Sequence, residues 1–183
     1  YDATIIHVAG SNGKGTACAL MATHLNRLNK TTVMFTSPHL VHLEERIRID
    51  GRPISEQQFD IYLSQIQQTE LDLGIELTFF EVTFLASCLC VRDLNPDVFI
   101  VETGLGGRFD ATRILPADLC LLTSIQLEHR DILGDTLAEI AAEKAAIARP
   151  KKPMFVRDIE DTDARSAVEN EAHNAGQKPL GEI

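Results

Sequence analysis

Ile5-Ile6-His7-Val8-Ala9-Gly10-Ser11-Asn12-Gly13-Lys14-Gly15-Thr16 is the stretch that decides the fold. A short apolar run breaks at a glycine-rich turn, and behind the turn Ala17, Leu20, Met21, Leu25 and Leu28 recur at helical spacing. In the order strand, glycine loop, helix, inward-turned backbone N–H groups and the positive end of a helix can surround a phosphate, and Lys14 adds a full charge. Gly10, Ser11, Asn12, Gly13, Lys14, Gly15 and Thr16 are therefore the expected contacts of a nucleoside triphosphate. The spacing departs from the usual G-x-x-x-x-G-K-[ST], because Gly10 and Gly13 stand closer together and Gly15 separates Lys14 from Thr16. A glycine turn can serve close packing alone, but the helical pattern directly behind it favours the phosphate reading.

Outward from the loop, short apolar runs alternate with helical patterns. Thr32–Phe35, Val98–Val101, Leu119–Leu122 and Pro153–Val156 read as strands, the middle two as parallel strands covered on both faces. Helices are expected from a Ser55 cap through Phe59, Tyr62, Leu63 and Ile66, from Thr78 to Asp93, from an Asp135 cap through Leu137, Ile140, Ala141, Lys144 and Ile147, and from Asp161 to Ala175. This alternation predicts an α/β, three-layer sandwich around a mainly parallel sheet, as one phosphate-loop domain over residues 1–183.

Composition narrows the partners. With 27 acidic residues against 17 Lys plus Arg, the net charge of -10 argues against a nucleic-acid backbone or an anionic membrane as partner, so an anionic ligand must be held locally. No apolar run approaches the ~18 residues of a membrane span, and Tyr1-Asp2-Ala3-Thr4 is neither a basic nor a secretory leader, which predicts a cytoplasmic protein. Cys18, Cys88, Cys90 and Cys120 form no metal-binding pair and read as reduced, buried thiols. The absence of an initiating Met and the immediate entry into a strand suggest a piece of a longer protein.

In open α/β sheets ligands bind beyond the carboxyl ends of the strands. Four polar clusters fall there: the glycine loop, Thr36-Ser37-Pro38-His39, Glu102-Thr103-Gly104-Leu105-Gly106-Gly107, and the segment from Ser124 to His129. A triphosphate needs a divalent cation, and Thr16, Ser37 and Glu102 offer the hard oxygens that Mg²⁺ prefers. Each has a plainer reading: Thr16 as a helix start, Ser37 as a turn residue, His129 as an exposed loop residue, Lys144 as a snorkelling side chain. Glu102 is harder to dismiss, since a carboxylate ending an apolar strand needs a cation, and Lys14 could be that partner.

His7 through Thr16, Thr36-Ser37-Pro38-His39-Leu40 with Glu45-Arg46-Ile47-Arg48-Ile49, Glu102 through Thr112, and His129 with Leu133-Gly134 and Glu143-Lys144-Ala145 together resemble the folylpolyglutamate synthase/dihydrofolate synthase family of the Mur ligase superfamily. The resemblance runs collinearly over roughly residues 4 to 156. It implies an ATP-dependent amide ligase that attaches L-glutamate to a folate or dihydropteroate carboxylate through an acyl phosphate. It further implies Lys14, Glu102, His129 and Lys144 as catalytic residues. One Mg²⁺ would sit near Thr16, Ser37 and Glu102 and a second at Glu102 and His129, with Lys144 as a carbamate bridging metal. The loop from Ser37 to Ile54 would flank the folate site.

Three positions depart from the family pattern: Glu128 replaces an Asp before His129, Ala146 a Gly, and Arg113 an Asn. Family members also extend into a C-terminal glutamate-ligase domain, so this piece is expected to act as a monomer that binds ATP weakly without turning over. Other readings are a different phosphate-loop ATPase or kinase, a Mur-type ligase with another substrate, and a nucleotide-binding module without ligase activity.

Overall fold

The computed structural model describes residues 2–176 and 180–182. Among these residues eight strands form one sheet: β1 (Thr4–Ala9), β2 (Thr32–Phe35), β3 (Ile47–Ile49), β4 (Arg52–Pro53), β5 (Val98–Glu102), β6 (Leu119–Leu122), β7 (Met154–Val156) and β8 (Leu180–Glu182). Their order is β4-β3-β2-β5-β1-β6-β7-β8, with β3 and β4 antiparallel at one edge and the rest parallel. The helices are α1 (Lys14–Arg27), α2 (Glu56–Leu73), α3 (Phe79–Leu94), the short α4 (Arg130–Leu133), α5 (Leu137–Ala145) and α6 (Thr162–Asn174).

Period-two alternation divides the buried strand residues between two cores. Ile5, Phe99, Val101, Cys120 and Leu122 face α2, α3, α5 and α6 in the larger core. Val8, Met34, Val98 and Ile100 face α1 in the smaller one. These are the three layers of the expected α/β sandwich. Because β1 lies between β5 and β6, the chain departs from it in both directions, and the crevice at its carboxyl end is the topological switch point.

On α1 Cys18 and Ala22 are buried and Met21 and Leu25 pack against the same core, while Leu20 and, just past the helix, Leu28 are exposed. One local expectation needs correction. α5 is capped by Thr136, one residue later than Asp135: Thr136 and Glu139 form a reciprocal capping box, and Asp135 pairs with Arg130 at 3.0 Å. Ile147 lies beyond the end of this helix yet remains fully buried. The four cysteines are buried, and none is in a disulfide among the described residues. Among the described residues no helix is long and apolar enough to cross a membrane.

Candidate active site

The glycine loop is shaped by contact with the segment after β6. Gly10 has φ +144°, and a Cβ there would lie 2.0 Å from the Thr123 hydroxyl oxygen, so no other residue fits without a shift. Ser11 N–H donates to the Ser124 carbonyl at 2.8 Å, and the Asn12 side-chain amide donates to Gln126 at 2.6 Å. Gly13, left-handed at φ +83°, is the N-cap of α1. No side chain caps that helix and no acidic residue stands in its first turn, so its leading N–H groups are left for an anion.

Lys14, Thr16, Ser37 and Glu102 line one cavity of about 660 Å³ at this helix end. Lys14 Nζ folds back to donate to the Gly10 carbonyl at 2.9 Å and stands 3.9 Å from Glu102 Oε1. Glu102 is only 4% exposed. Burial pushes its carboxyl above the usual range, against the opposing effects of a 3.2 Å bond from Ser37 N–H and the charge of Lys14. The donor set suits magnesium bound with nucleotide: two hydroxyls and one carboxylate, with room for phosphate oxygens.

Lys144 approaches from the other face of the sheet. It is 2% exposed, pairs with Glu128 at 2.7 Å, and donates to the same Gly10 carbonyl at 3.3 Å. Burial holds its ammonium below the usual lysine range, with Glu128 opposing. Burial drives Glu128 upward, but its bond to Lys144 and the charges of Lys144 and Lys14 outweigh this and leave it below the usual carboxylate range. His129 stands apart. It is exposed, left-handed at φ +43°, and caps α4 through its backbone. Its side chain lines neither this cavity nor the groove beside it. Among the described residues, no group of three or more His, Cys, Asp or Glu is arranged to hold a metal.

The groove, of about 900 Å³, is lined largely by apolar and aromatic side chains, among them Phe79, Phe80, Leu105, Phe109 and Ile132. Ser37 and Pro38 line both spaces, so the groove meets the phosphate cavity there. Its glycine wall is packed tightly: a Cβ at Gly107 would lie 2.8 Å from the carbonyls of Glu143 and Lys144.

Sequence reasoning gave no role to the residues that hold this wall. Asp110 accepts from the N–H groups of Gly104, Leu105 and Thr112 and from the Thr112 hydroxyl. Because that hydroxyl donates to a carboxylate, it accepts from His7 Nε2, 2.8 Å away. The pKa of His7 is lowered to about 3 by burial and then by Arg149 and Arg113, so the ring is neutral. The only local hint was Asp-x-Thr, an Asx-turn pattern.

No protein-family model matches this sequence. The chain is 39% identical over 156 residues to the dihydrofolate synthase/folylpolyglutamate synthase of Escherichia coli strain K12, a match covering 85% of this chain and 36% of that protein. A structure described as E. coli FolC in complex with DHPP and ADP is 36% identical, with a TM-score of 0.91, covering 97% of this chain and 42% of that one. A bifunctional folylpolyglutamate synthase/dihydrofolate synthase with Mn, AMPPNP and L-glutamate bound is 35% identical, with a TM-score of 0.90, covering 98% and 43%. The chain thus spans well under half the length of these relatives.

Proposed function

We propose that this chain, a relative of the folylpolyglutamate synthase/dihydrofolate synthase family over most of its length, supplies the ATP and magnesium site of an ATP-dependent amide ligase. The ligase adds L-glutamate to the carboxylate of a folate or dihydropteroate. The observation that carries the reading is the convergence of Lys14, Ser37 and Glu102, from three separate segments, on one cavity that joins an aromatic-lined groove at Ser37 and Pro38.

A carboxylate becomes an acylating agent only when one oxygen can leave. The γ-phosphoryl group passes from ATP to that oxygen, the glutamate amine attacks the carbonyl carbon, and phosphate departs. Lys14 exchanges its bond to Gly10 for the phosphates, and the uncapped N–H groups of α1 hold them in line. Thr16, Ser37 and Glu102 would hold a magnesium ion, which would supply charge to offset that of the phosphates. The groove orients the ring system so that its carboxyl end reaches Ser37.

A second magnesium at Glu102 and His129 belongs to the same reading and requires the exposed His129 ring to approach Glu102. So does a carbamate on Lys144. Burial favours the neutral amine that carbamylation needs, whereas Glu128 at 2.7 Å opposes a new negative charge. The reading also includes a monomer in the cytoplasm and a C-terminal domain that helps bind glutamate.

The test is substrate dependence. ADP release should require both a pteroyl acid and L-glutamate and should yield the amide. ADP release indifferent to both identifies a general phosphate-loop ATPase, and phosphate transfer to a stable hydroxyl acceptor identifies a kinase.

A further inference from the structure

Arg46 is the cation whose chemistry the phosphate site does not use. It is 7% exposed, in the turn Leu43–Arg46 just before β3. Its carbonyl accepts from Thr36 N–H at 2.9 Å, which places it beside the residue preceding Ser37. The guanidinium carbon lies 4.9 Å from the centre of the Phe79 ring, and Nε donates to His39 Nδ1 at 3.0 Å. No carboxylate pairs with it among the described residues, and burial alone lowers its pKa.

The remaining donors are at Nη1 and Nη2. Among the described residues they have no acceptor, yet the only fully buried, unpartnered side-chain polar atom there is His7 Nδ1. The fork therefore reaches solvent. Arg46 and Phe79 both line the groove, at the end it shares with Ser37 and Pro38. A guanidinium stacked on an aromatic ring, anchored through Nε and open at both terminal nitrogens is preorganised for a planar, bidentate oxyanion.

We propose that Arg46 is the specificity residue of the groove and receives a carboxylate of the acceptor through its Nη1 and Nη2 fork. This rests on the acceptor reading above. It predicts selection for aromatic acids over isosteric neutral amides, made at the wall of the groove and independent of the nucleotide.

The experiment measures equilibrium binding of two acid/amide pairs to the full chain, its Arg46→Lys form and its Arg46→Met form. One pair is a pteroyl acid and its carboxamide; the other is benzoate and benzamide. The affinity of Mg-AMPPNP serves as the folding control. In the native protein the acid of each pair should bind better than its amide. Arg46→Met should weaken the acid about 10- to 100-fold and leave the amide nearly unchanged. Arg46→Lys should recover part of the preference, because it keeps the charge and loses the fork.

Equal weakening of acid and amide would make Arg46 a stacking support for the loop and overturn the proposal, as would an acid preference that survives in Arg46→Met. If benzoate shows the Arg46-dependent preference and the pteroyl acid does not bind, the inference stands and the folate reading falls. If the pteroyl acid binds with no acid preference, the reverse holds. Failure of both pairs to bind the native protein, with Mg-AMPPNP still binding, overturns both.

Discussion

Lys14 and Lys144 donate to the same carbonyl, that of Gly10, from helices on opposite faces of the sheet, and they are balanced in different ways. Lys144 is almost wholly enclosed, with a carboxylate at 2.7 Å; Lys14 is partly exposed, with its carboxylate at 3.9 Å. The first pair is complete without a ligand. The second is not: Glu102 is buried beside a cation too distant for a hydrogen bond, and the cavity between them opens onto an uncapped helix end. A charge balanced by the protein holds the loop in shape, and a charge left half-balanced at a cavity is available to a ligand.

The tight pair offers the largest effect. Glu128→Gln leaves the buried Lys144 ammonium without a counter-charge. Removing one member of a buried pair costs about 3–5 kcal/mol, and because the Glu128 side chain is 27% exposed the expected loss is about 2–3 kcal/mol in urea unfolding at pH 7. Lys144→Met should cost less, since it removes the charge together with its need for a partner. The pH dependence carries the same sign. The folded-state pKa of Glu128 is depressed, so its contribution is present above the unfolded value and is lost as pH falls through the lower folded value. The acid limb of the wild-type stability profile should therefore be steeper than that of Glu128→Gln. Equal stability of the two proteins at pH 7 would show that this pair contributes nothing.

How much of this contrast is legible in the sequence depends on the range of each interaction. The glycine loop and α1 carry a local signal, and the rule of strand ends brings Lys14, Ser37 and Glu102 together from three apolar runs that sequence alone identifies. Lys144 and Gly10 are 134 residues apart, and no local pattern encodes their contact. The tight Glu128 pair was equally invisible; at the sequence level Glu128 registered only as a departure from a family pattern. The helical spacing of α1 is legible as well: Met21 and Leu25 pack against the smaller core beside the buried Cys18, whereas Leu20 of the same pattern is exposed. Arg46 entered only as one residue of the Glu45–Ile49 stretch in the loop expected to flank the folate site, and its packing against Phe79 and His39 is what shows that it is largely desolvated.

The loose pair separates binding from stability. Lys14→Met should weaken Mg-AMPPNP roughly 10- to 100-fold by calorimetry, the loss expected for one or two charge-assisted hydrogen bonds to phosphate. Unfolding free energy should change by less than about 0.5 kcal/mol, because the bonds Lys14 makes to its own loop are partly solvated. A stability loss as large as that of Glu128→Gln would erase the distinction between the two lysines.

The smallest effect has the opposite sign. Glu102 has a folded-state pKa raised by burial, so its favourable contribution is present below the unfolded value and is lost as pH rises through the folded value. At pH 7 the ionised carboxylate is held at a cost, which a bound cation would relieve. Glu102→Gln keeps an acceptor for Ser37 N–H and removes the charge, so the ligand-free protein should become more stable at pH 7 by about 0.5–1 kcal/mol. Its stability profile between about pH 4.5 and 7 should be flatter toward high pH than that of the wild type. The same substitution should abolish the gain in nucleotide affinity that magnesium confers. One carboxylate replacement would then stabilise the fold and disable the site, while the other destabilises the fold, as expected if Glu102 awaits a ligand and Glu128 already has its partner. Destabilisation by Glu102→Gln would instead mean that the 3.9 Å contact with Lys14 is a structural ion pair like that of Lys144.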